Sequence, residues 1–405
     1  MNVLQITKKV PFPLKDGEVI AIHYLSKGLL SAGCEVDLLS FNTRKHRVEF
    51  DGTPDELQHY ASLHIIDLDT TPRYWPALKS LMRGSSYNID RFKSPTMEQA
   101  LIELLQSKHF DVVQLETVYL TPYIPIIRRY SSALIALRSH NLEGEIWRGL
   151  AAKEKQSIRK WYYNLAAQRL IKHERGLKGL VDCLIPLSNI DAAAYREFGF
   201  EDEICTVPIG LDLELYESTP RAIKSDKIRV GFIGSLDWKP NQEGIEWFYE
   251  RVWPELNTLY PQLEFHLAGR NMPEKYKAFK SDGFFIHGEV EDAIAFMTDM
   301  DIICVPLFSG SGVKVKILEG MALSKLVVST SKGFEDIPAL DGENAFMAES
   351  REDFISVFKN ILSGKPDLTR IQNAARETIA AEYGYRSIAE NLKIFYYKKS
   401  ELPTI

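Results

Sequence analysis

Short apolar runs alternate with longer amphipathic segments along the whole chain. The runs predict strands at residues 2–6, 35–40, 62–67, 111–115, 133–138, 182–187, 229–233, 263–268, 301–306 and 326–329. Several runs are almost entirely apolar, as parallel strands covered on both faces are. Amphipathic segments predict helices at 18–32, 96–107, 149–179, 243–257, 313–323 and 369–397. This alternation predicts an α/β fold with parallel sheets and right-handed crossovers.

The alternation restarts in the middle of the chain. Residues 2–32 run strand, loop, helix, and residues 229–257 repeat that order after a polar connector with two prolines. We therefore predict two doubly wound, Rossmann-like domains that face each other across a cleft, where the carboxyl ends of the strands bind ligands. The predicted segments are 1–207, 208–385 and a C-terminal helix, 386–405, that crosses back to the first domain.

Composition excludes several classes of protein. The chain has 405 residues, of which 45% are hydrophobic and 26% charged, values typical of globular proteins. A net charge of −6 gives no global basic field for nucleic acid. The four cysteines form no CxxC pair, which argues against a disulfide framework or a zinc site. No secretory segment or spanning helix is indicated, so the expected location is the cytoplasm.

The segment 301–330 carries the strongest motif. A strand ends at Pro306, the small-residue loop SGSG (309–312) follows, and the next helix carries Lys314 and Lys316. A helix start with unpaired N–H groups and two lysines suits a diphosphate. A helix capped by Ser311, with solvated lysines, would explain the same pattern. The loop is neither a Walker A motif nor a dinucleotide fingerprint.

Three C-terminal motifs together resemble glycosyltransferase family 4, the retaining, nucleotide-sugar-dependent enzymes of GT-B fold. They are FIGSLDWKPNQEGIEWF (232–248), HGEVED (287–292) and GSGVKVKILEGMA with VVST (310–330). The resemblance is looser in the N-terminal half, where FDVVQLE, LRSHNLEGEIW and VPIGLDL carry it. It implies transfer of a sugar from a nucleotide diphosphate to an acceptor hydroxyl, in glycan or polysaccharide assembly.

The resemblance assigns the donor site to the second domain. It implies that Glu319 binds the ribose hydroxyls and that Lys316 and Lys239 stabilise the leaving diphosphate. The family's other glutamate position holds Ser311, which leaves the sugar contacts open. Further donor contacts are implied for Gly312, Val313, Lys314, Gly234, Ser235, Gly269, Arg270 and Val290.

In the first domain, the resemblance places His140 near the reacting sugar, as a catalytic residue. Asn141 and Gly17 are expected to contact the acceptor. Gly17 precedes helix 18–32 and would let a ligand approach the helix start, although a tight turn explains it equally well.

We expect neither a cofactor nor an essential metal. The DxD pairs 67–69 and 299–301 are short enough to arise by chance. Two rival functions stay open, a GT-B-fold nucleotide-sugar epimerase and a non-catalytic nucleotide-sugar binder. The sequence leaves open the base, the sugar, the acceptor, the linkage and the oligomeric state.

The segment 147–180 is strongly basic. It holds nine Lys or Arg and two acids, a net charge of +7, with four interleaved aromatic residues. A solvated helix face with packed aromatics would explain this pattern. Such rings and charges also favour an anionic membrane interface. The second interpretation predicts peripheral docking on the inner face of the membrane and a lipid-linked saccharide acceptor.

Overall fold

The chain divides into two compact units. A computed structural model describes residues 1–71, 75, 80, 82, 84–216, 220, 227–310 and 312–400. Unit 1 comprises Met1–Gly210 together with Tyr385–Ile405, and unit 2 comprises Leu211–Gly384. The chain thus leaves unit 1 once and returns to it through its C-terminal helix.

Unit 1 is a parallel six-stranded sheet of order β3-β2-β1-β4-β5-β6 with helices between the strands. The strands are β1 (Asn2–Thr7), β2 (Glu35–Thr43), β3 (Ser62–Leu68), β4 (Val112–Leu115), β5 (Leu134–Ser139) and β6 (Cys183–Pro186). The helices are α1 (Gly17–Ser31), α2 (Tyr87–Asp90), α3 (Pro95–Ser107), α4 (Ile124–Tyr130), α5 (Glu143–Lys153), α6 (Ser157–Arg175) and α7 (Asn189–Glu197). The C-terminal helix, Tyr385–Ser400, packs against α1.

Unit 2 repeats this topology with the order β12-β11-β10-β7-β8-β9. Its strands are β7 (Ile228–Ile233), β8 (Leu263–Ala268), β9 (Phe284–Gly288), β10 (Ile302–Val305), β11 (Leu326–Ser329) and β12 (Phe346–Met347). Its helices are α8 (Lys239–Arg251), α9 (Trp253–Leu259), α10 (Ala293–Thr298), α11 (Val315–Ala322), α12 (Arg351–Leu362) and α13 (Leu368–Glu382). The C-terminal helix of unit 1 is therefore α14.

Burial and capping explain why these segments form. The central strands β4 and β10 are buried at every position, which is why they read as continuous apolar runs. Several helices begin at a side-chain cap: Asp16 accepts from the Val19 amide at 3.0 Å, and Ser350 forms a capping box with Asp353. The same strand order in both units places the carboxyl ends of β1, β4 and β5, and of β7, β8 and β10, along one edge of each sheet.

The predicted α/β fold of two doubly wound sheets is confirmed, and all ten predicted strands are present. The strands β9 and β12 were not predicted. In β9 buried and accessible residues alternate at the edge of the sheet, and β12 has two residues, so neither makes an apolar run.

Three predicted helices are each two helices, so those boundaries were wrong. The segment 149–179 divides between α5 and α6, 243–257 between α8 and α9, and 369–397 between α13 and α14. The second division falls at Val252, and Pro254 in the first turn of α9 has no N–H to continue the hydrogen bonds of α8. The third falls at residues 383–384, where the Tyr383 carbonyl accepts from Leu211 N–H. None of the described helices combines the length and the apolar character needed to cross a membrane.

Candidate functional site

Two glycines let backbone segments of unit 2 approach closely at the carboxyl edge of its sheet. A Cβ atom on Gly269, after β8, would lie 1.9 Å from the carbonyl oxygen of Gly234, after β7. A Cβ atom on Gly244, in α8, would lie 2.0 Å from the carbonyl oxygen of Pro306, after β10. Larger residues would push these segments apart, so the glycines hold the loops of the predicted donor site together.

The small-residue loop lies between β10 and α11. Gly310 has φ +108° and Gly312 has φ +77°, conformations that favour glycine. Ser311 lies outside the described residues. Helix α11 begins at Val315, and Lys314 at its N-cap position provides no side-chain cap. Among the described residues, no side chain caps the first turn of α11, which leaves its amides suited to an anion.

Lys316 extends from this first turn across the end of β7. Its Nζ donates to Asn241 Oδ1 at 2.9 Å and lies 4.0 Å from the centre of the Phe232 ring. The same Nζ lies 2.6 Å from the position of a Cβ atom on Gly234, so a larger residue there would displace the Lys316 ammonium. Burial lowers the pKa of Lys316 to about 7, with Glu319 acting against this shift and Lys314 adding to it.

Glu319 lies one turn further along α11. The Tyr216 hydroxyl donates to Glu319 Oε1 at 3.0 Å. Burial raises the pKa of Glu319 to about 7, although this hydrogen bond and the charge of Lys316 act in the opposite direction. A half-buried carboxylate beside a lysine is suited to hydrogen-bonding hydroxyl groups next to an anion.

Lys314 pairs with an acidic side chain. Its Nζ lies 3.4 Å from Glu335 Oε2, and burial lowers its pKa while Glu335 acts against that shift. The Lys314 side chain is thus partly neutralised by Glu335, which leaves its backbone as the part suited to a ligand. Val313 is half-buried in the preceding loop.

The other predicted donor residues lie around the β7 and β8 ends. Arg270 Nε donates to Ser235 Oγ at 3.1 Å, which links the two loops. Val290 is half-buried in the loop after β9. Lys239 is the first residue of α8 and is exposed, and it has no ion pair with the described residues. The structure therefore brings Ser235 and Arg270 together, and it gives Lys239 an exposed position at the start of α8.

The corresponding edge of unit 1 is densely charged. Gly17 is the first residue of α1, directly after its cap, Asp16. Lys9 Nζ lies 2.8 Å from Asp16 Oδ2, and Lys8 Nζ lies 3.2 Å from Glu18 Oε1. Burial raises the pKa of Glu18, but the charges of Lys8, Lys9 and His140 outweigh it and hold the pKa at about 2.

His140 follows β5 at the same edge. Its Nε2 lies 2.9 Å from Glu116 Oε2, and its side chain is 9% exposed. Asn141 is half-buried, and its carbonyl oxygen accepts from Ser139 Oγ at 3.0 Å. His140 and Glu116 thus form a buried pair that the sequence analysis did not identify.

Sequence reasoning missed several residues at these edges. Asn241, Tyr216 and Glu335 lie far along the chain from the residues they contact, and no local pattern indicates those contacts. Glu116 and Lys8 could have been identified from the sequence. Each is a charged residue that follows a predicted strand, β4 and β1 respectively, and therefore lies at the carboxyl end of the sheet.

The two DxD pairs lie at opposite ends of their sheets: the pair 67–69 is exposed at the carboxyl end of β3, and the pair 299–301 lies at the other end. Asp301 Oδ2 accepts from the backbone N–H of Arg229, at the start of β7, which is the opposite edge of the sheet. Asp69 Oδ1 accepts from the amide of Thr71 at 3.0 Å. Within the described ranges, no group of three or more His, Cys, Asp or Glu could hold a metal ion.

Part of unit 2 matches a known family model, and one curated relative matches most of the chain. Residues 227–363 match the family model of glycosyl transferases group 1. An uncharacterized 44.6 kDa protein in the cps region of Klebsiella pneumoniae is 22% identical over 394 residues, which are 92% of this chain and 93% of that protein.

Solved structures share the fold across the whole chain. HepE of Anabaena, in complex with UDP, superposes with a TM-score of 0.66 at 13% identity and covers 98% of this chain and 100% of its own. Sucrose-phosphate synthase of Thermosynechococcus elongatus superposes with a TM-score of 0.70 at 15% identity, over 98% of this chain and 99% of its own. The chain therefore has the GT-B fold. The match to the group 1 glycosyl transferase model lies within its unit 2.

Proposed function

We propose that this protein is a retaining glycosyltransferase that moves a sugar from a nucleotide diphosphate to an acceptor hydroxyl. The observation that carries the proposal is the half-buried Lys316 on the first turn of α11, with Glu319 one turn later. HepE, which shares the fold, was crystallised with UDP, and the Klebsiella relative belongs to a cps region. Both support a nucleotide-sugar donor and a role in polysaccharide assembly.

The chemistry follows from the charge on the leaving group. As the bond from the anomeric carbon to the donor phosphate breaks, the sugar becomes oxocarbenium-like and the diphosphate gains negative charge. Lys316 and the N-terminus of α11 would stabilise that charge, with Lys239 as a second cation. Glu319 would bind the ribose hydroxyls in the ground state and the transition state alike.

We assign the acceptor no protein nucleophile. In this proposal the acceptor oxygen attacks the sugar on the face that the phosphate leaves, and a donor phosphate oxygen takes the acceptor proton. His140 would hydrogen-bond the reacting sugar, and Gly17 and Asn141 would contact the acceptor. The reaction as proposed uses neither a cofactor nor an essential metal.

A thermal-shift panel of UDP-, GDP- and ADP-sugars tests the donor class. A ligand at 100 times its dissociation constant stabilises the protein by about 2.7 kcal/mol. We expect one nucleotide class to stabilise the protein and the Lys316→Ala variant to respond less. No response to any nucleotide sugar would contradict the proposal. Product formed without an acceptor would indicate an epimerase, and donor binding without turnover would indicate a binder.

We further propose that the acceptor is presented at an anionic membrane. The helices α5 and α6 form a helical hairpin, residues 143–175, that carries most of the basic segment. Ile158 is 82% exposed and Trp161 58% exposed, beside the exposed Arg159 and Lys160. Exposed apolar side chains among basic ones suit an interface of apolar tails and anionic headgroups.

Other parts of the same segment are packed. The Trp147 ring lies 5.5 Å from the ring of Tyr163, and Arg169 donates to the Ser85 carbonyl at 2.8 Å. The packed-aromatic interpretation thus holds for Trp147 and Tyr163, whereas Trp161 and Ile158 stay exposed. The proposed membrane surface therefore comprises the exposed basic residues of α6 together with Ile158 and Trp161 near its start. Such docking would place a cytoplasmic protein on the inner face of the membrane.

Sedimentation with liposomes tests this surface. We expect the protein to bind anionic but not neutral vesicles, with salt weakening the binding. Replacing Arg159, Lys160 and Lys172 by Glu should abolish it while donor binding persists. The matched control replaces three exposed lysines of unit 2, Lys280, Lys359 and Lys365, by Glu, which changes the net charge by the same amount. Wild-type protein that ignores anionic vesicles at low salt would contradict the proposal and favour a soluble acceptor.

A further inference from the structure

A buried hydrogen-bond network in unit 1 surrounds the carboxylate of Glu116. Glu116 directly follows β4, where its backbone N–H donates to the Ile6 carbonyl of β1. Its side chain is fully buried. Oε1 accepts from Gln5 Nε2 at 2.5 Å and from Gln114 Nε2. At Oε2, two further donors complete a set of four: His140 Nε2 at 2.9 Å and Arg138 at 3.5 Å.

Two tyrosines fix the direction of the glutamine amides. The Tyr60 hydroxyl donates to Gln5 Oε1 at 2.8 Å, and the Tyr396 hydroxyl, on α14, donates to Gln114 Oε1 at 2.6 Å. Since each amide oxygen accepts from a hydroxyl, each amide nitrogen faces Glu116. A side chain with an N–H group at the Oε1 position would therefore face the N–H groups of Gln5 and Gln114.

Burial raises the pKa of Glu116, but the charge of Arg138 and the hydrogen bond from His140 outweigh it and lower the pKa overall. Glu116 is therefore an ionised acceptor, and His140 Nε2 must carry a proton to face it. The other ring nitrogen, Nδ1, is buried and has no hydrogen-bond partner among the described residues. In a neutral imidazole protonated at Nε2, Nδ1 can accept a hydrogen bond from a ligand.

We infer that Glu116 is a positioning residue that holds His140 as the Nε2–H tautomer, so that Nδ1 accepts a hydrogen bond from a sugar hydroxyl. The assignment of the ligand as a sugar rests on the proposed function, whereas the tautomer itself does not. The rival state of the ring is an imidazolium, which would donate from both nitrogens.

The isosteric variant Glu116→Gln tests the tautomer. Gln5 and Gln114 donate at short range to the Oε1 position, whereas at the Oε2 position Arg138 lies 3.5 Å away and His140 can exchange its tautomer. The new amide oxygen should therefore take the Oε1 position. Its NH₂ group then faces His140 Nε2, which must become an acceptor. The proton should move to Nδ1, and the ring should present a donor where the wild-type ring presents an acceptor.

Long-range ¹⁵N–¹H correlation spectra of the full chain, labelled with [¹⁵N]histidine, report the protonated nitrogen directly. The His140→Gln variant identifies the His140 signals. We expect a protonated Nε2 and an unprotonated Nδ1 in the wild type, and the reverse in Glu116→Gln. A wild-type ring that is protonated at Nδ1 or at both nitrogens, or a Glu116→Gln ring that keeps Nε2–H, would overturn the inference.

Because Glu116→Gln leaves Arg138 without its charge partner, Glu116→Asp serves if the first variant does not fold. The shorter carboxylate keeps the charge and retreats from His140, so both tautomers should become populated. A Glu116→Asp ring that stays entirely Nε2–H would also overturn the inference.

Kinetics separate this role from a merely structural one. With the donor found by the screen, Glu116→Gln should lower kcat by about 10- to 100-fold, the effect of one mispaired hydrogen bond. The affinity for the free nucleoside diphosphate should stay within about twofold, because the proposed nucleotide contacts lie in unit 2. A tautomer that inverts with no change in kcat would overturn the assignment of Nδ1 to the sugar. The absence of transfer by the wild type with every donor would contradict the proposed function and leave the tautomer result intact.

Discussion

The two sheets have the same strand order, yet their carboxyl edges differ in how far their charges are paired. In unit 1 the Glu116 carboxylate has four donors around it, and Lys9 and Glu18 are paired with opposite charges. In unit 2 the described residues give the Lys316 ammonium one acceptor, Asn241, and Glu319 receives one hydroxyl. Both units thus have charged groups at the carboxyl edge of the sheet. The neighbouring side chains determine whether those groups are paired within the protein or can pair with a ligand.

The shifts in pKa follow this difference. Paired charges at the edge of unit 1 keep the pKa of Glu18 at about 2, so its carboxylate stays ionised. At the edge of unit 2, burial moves the pKa of Lys316 and that of Glu319 both to about 7. Groups whose ionisation is that finely balanced respond to an arriving charge, which is a property of binding sites.

The largest expected difference is in stability. Glu116→Ala leaves Arg138 buried without its partner, a change that costs about 3–5 kcal/mol of the free energy of unfolding. Lys316→Met instead removes a cation that burial disfavours, so we expect little loss or a small gain. Hydrogen–deuterium exchange, read separately over peptides of each unit, measures both effects. Equal losses of stability in the two variants would show that both edges depend equally on charge pairs within the protein.

The next largest effect is on turnover. Lys316→Ala should lower kcat by roughly 10²–10³-fold, about 3–4 kcal/mol, since the charge that Lys316 faces grows in the transition state. The affinity for the donor should fall less than kcat. Lys280→Ala, an exposed lysine of the same unit, is the control for a lost surface charge. Activity within a factor of three of the wild type would rule out a leaving-group role for Lys316.

A smaller effect concerns the nucleotide. Glu319→Ala should weaken the binding of the nucleoside diphosphate by about 10- to 100-fold, as expected for hydrogen bonds to a charged group. Calorimetric titration measures the change directly. The matched variant in unit 1, Glu18→Gln, should leave that affinity unaltered. If Glu319→Ala binds the nucleotide as the wild type does, the ribose contact is wrong.

The fold was predictable because its signal is local. A buried parallel strand reads as an apolar run, and the helices between such runs show their own period, so the doubly wound sheets follow from the sequence. Boundaries were less predictable. The break before Pro254 had a visible cause, whereas that at residues 383–384 coincides with a hydrogen bond to Leu211, distant in sequence.

The site was predictable only in part, because some of its contacts join residues that are distant in sequence. The loop before α11, with Lys316 and Glu319, is a contiguous motif whose helix start and glycines carry a local meaning. Asn241, which accepts from Lys316, is 75 residues away in the chain. Glu116 and His140 are 24 residues apart on neighbouring strands, and their meeting depends on the register of the sheet.

The smallest expected effect is a pH dependence that should be confined to the edge of unit 2. Burial lowers the pKa of Lys316 to about 7, and the pKa of Lys314 is lowered as well. A bound diphosphate favours the protonated lysine and therefore raises its pKa above the value in the free protein. Between pH 7.5 and 9 the free protein must take up a proton to bind, so the affinity should fall as pH rises, by at most about tenfold per pH unit.

Calorimetry in buffers of different ionisation enthalpy measures this proton uptake. The window lies above the pKa of Glu319, about 7, so that ionisation of this carboxylate adds little to the slope. Lys316→Arg keeps its charge throughout the window and should flatten the dependence. A wild-type affinity that is constant from pH 7.5 to 9 would mean that the diphosphate binds away from Lys316. The comparison between the two edges would then lose its functional meaning.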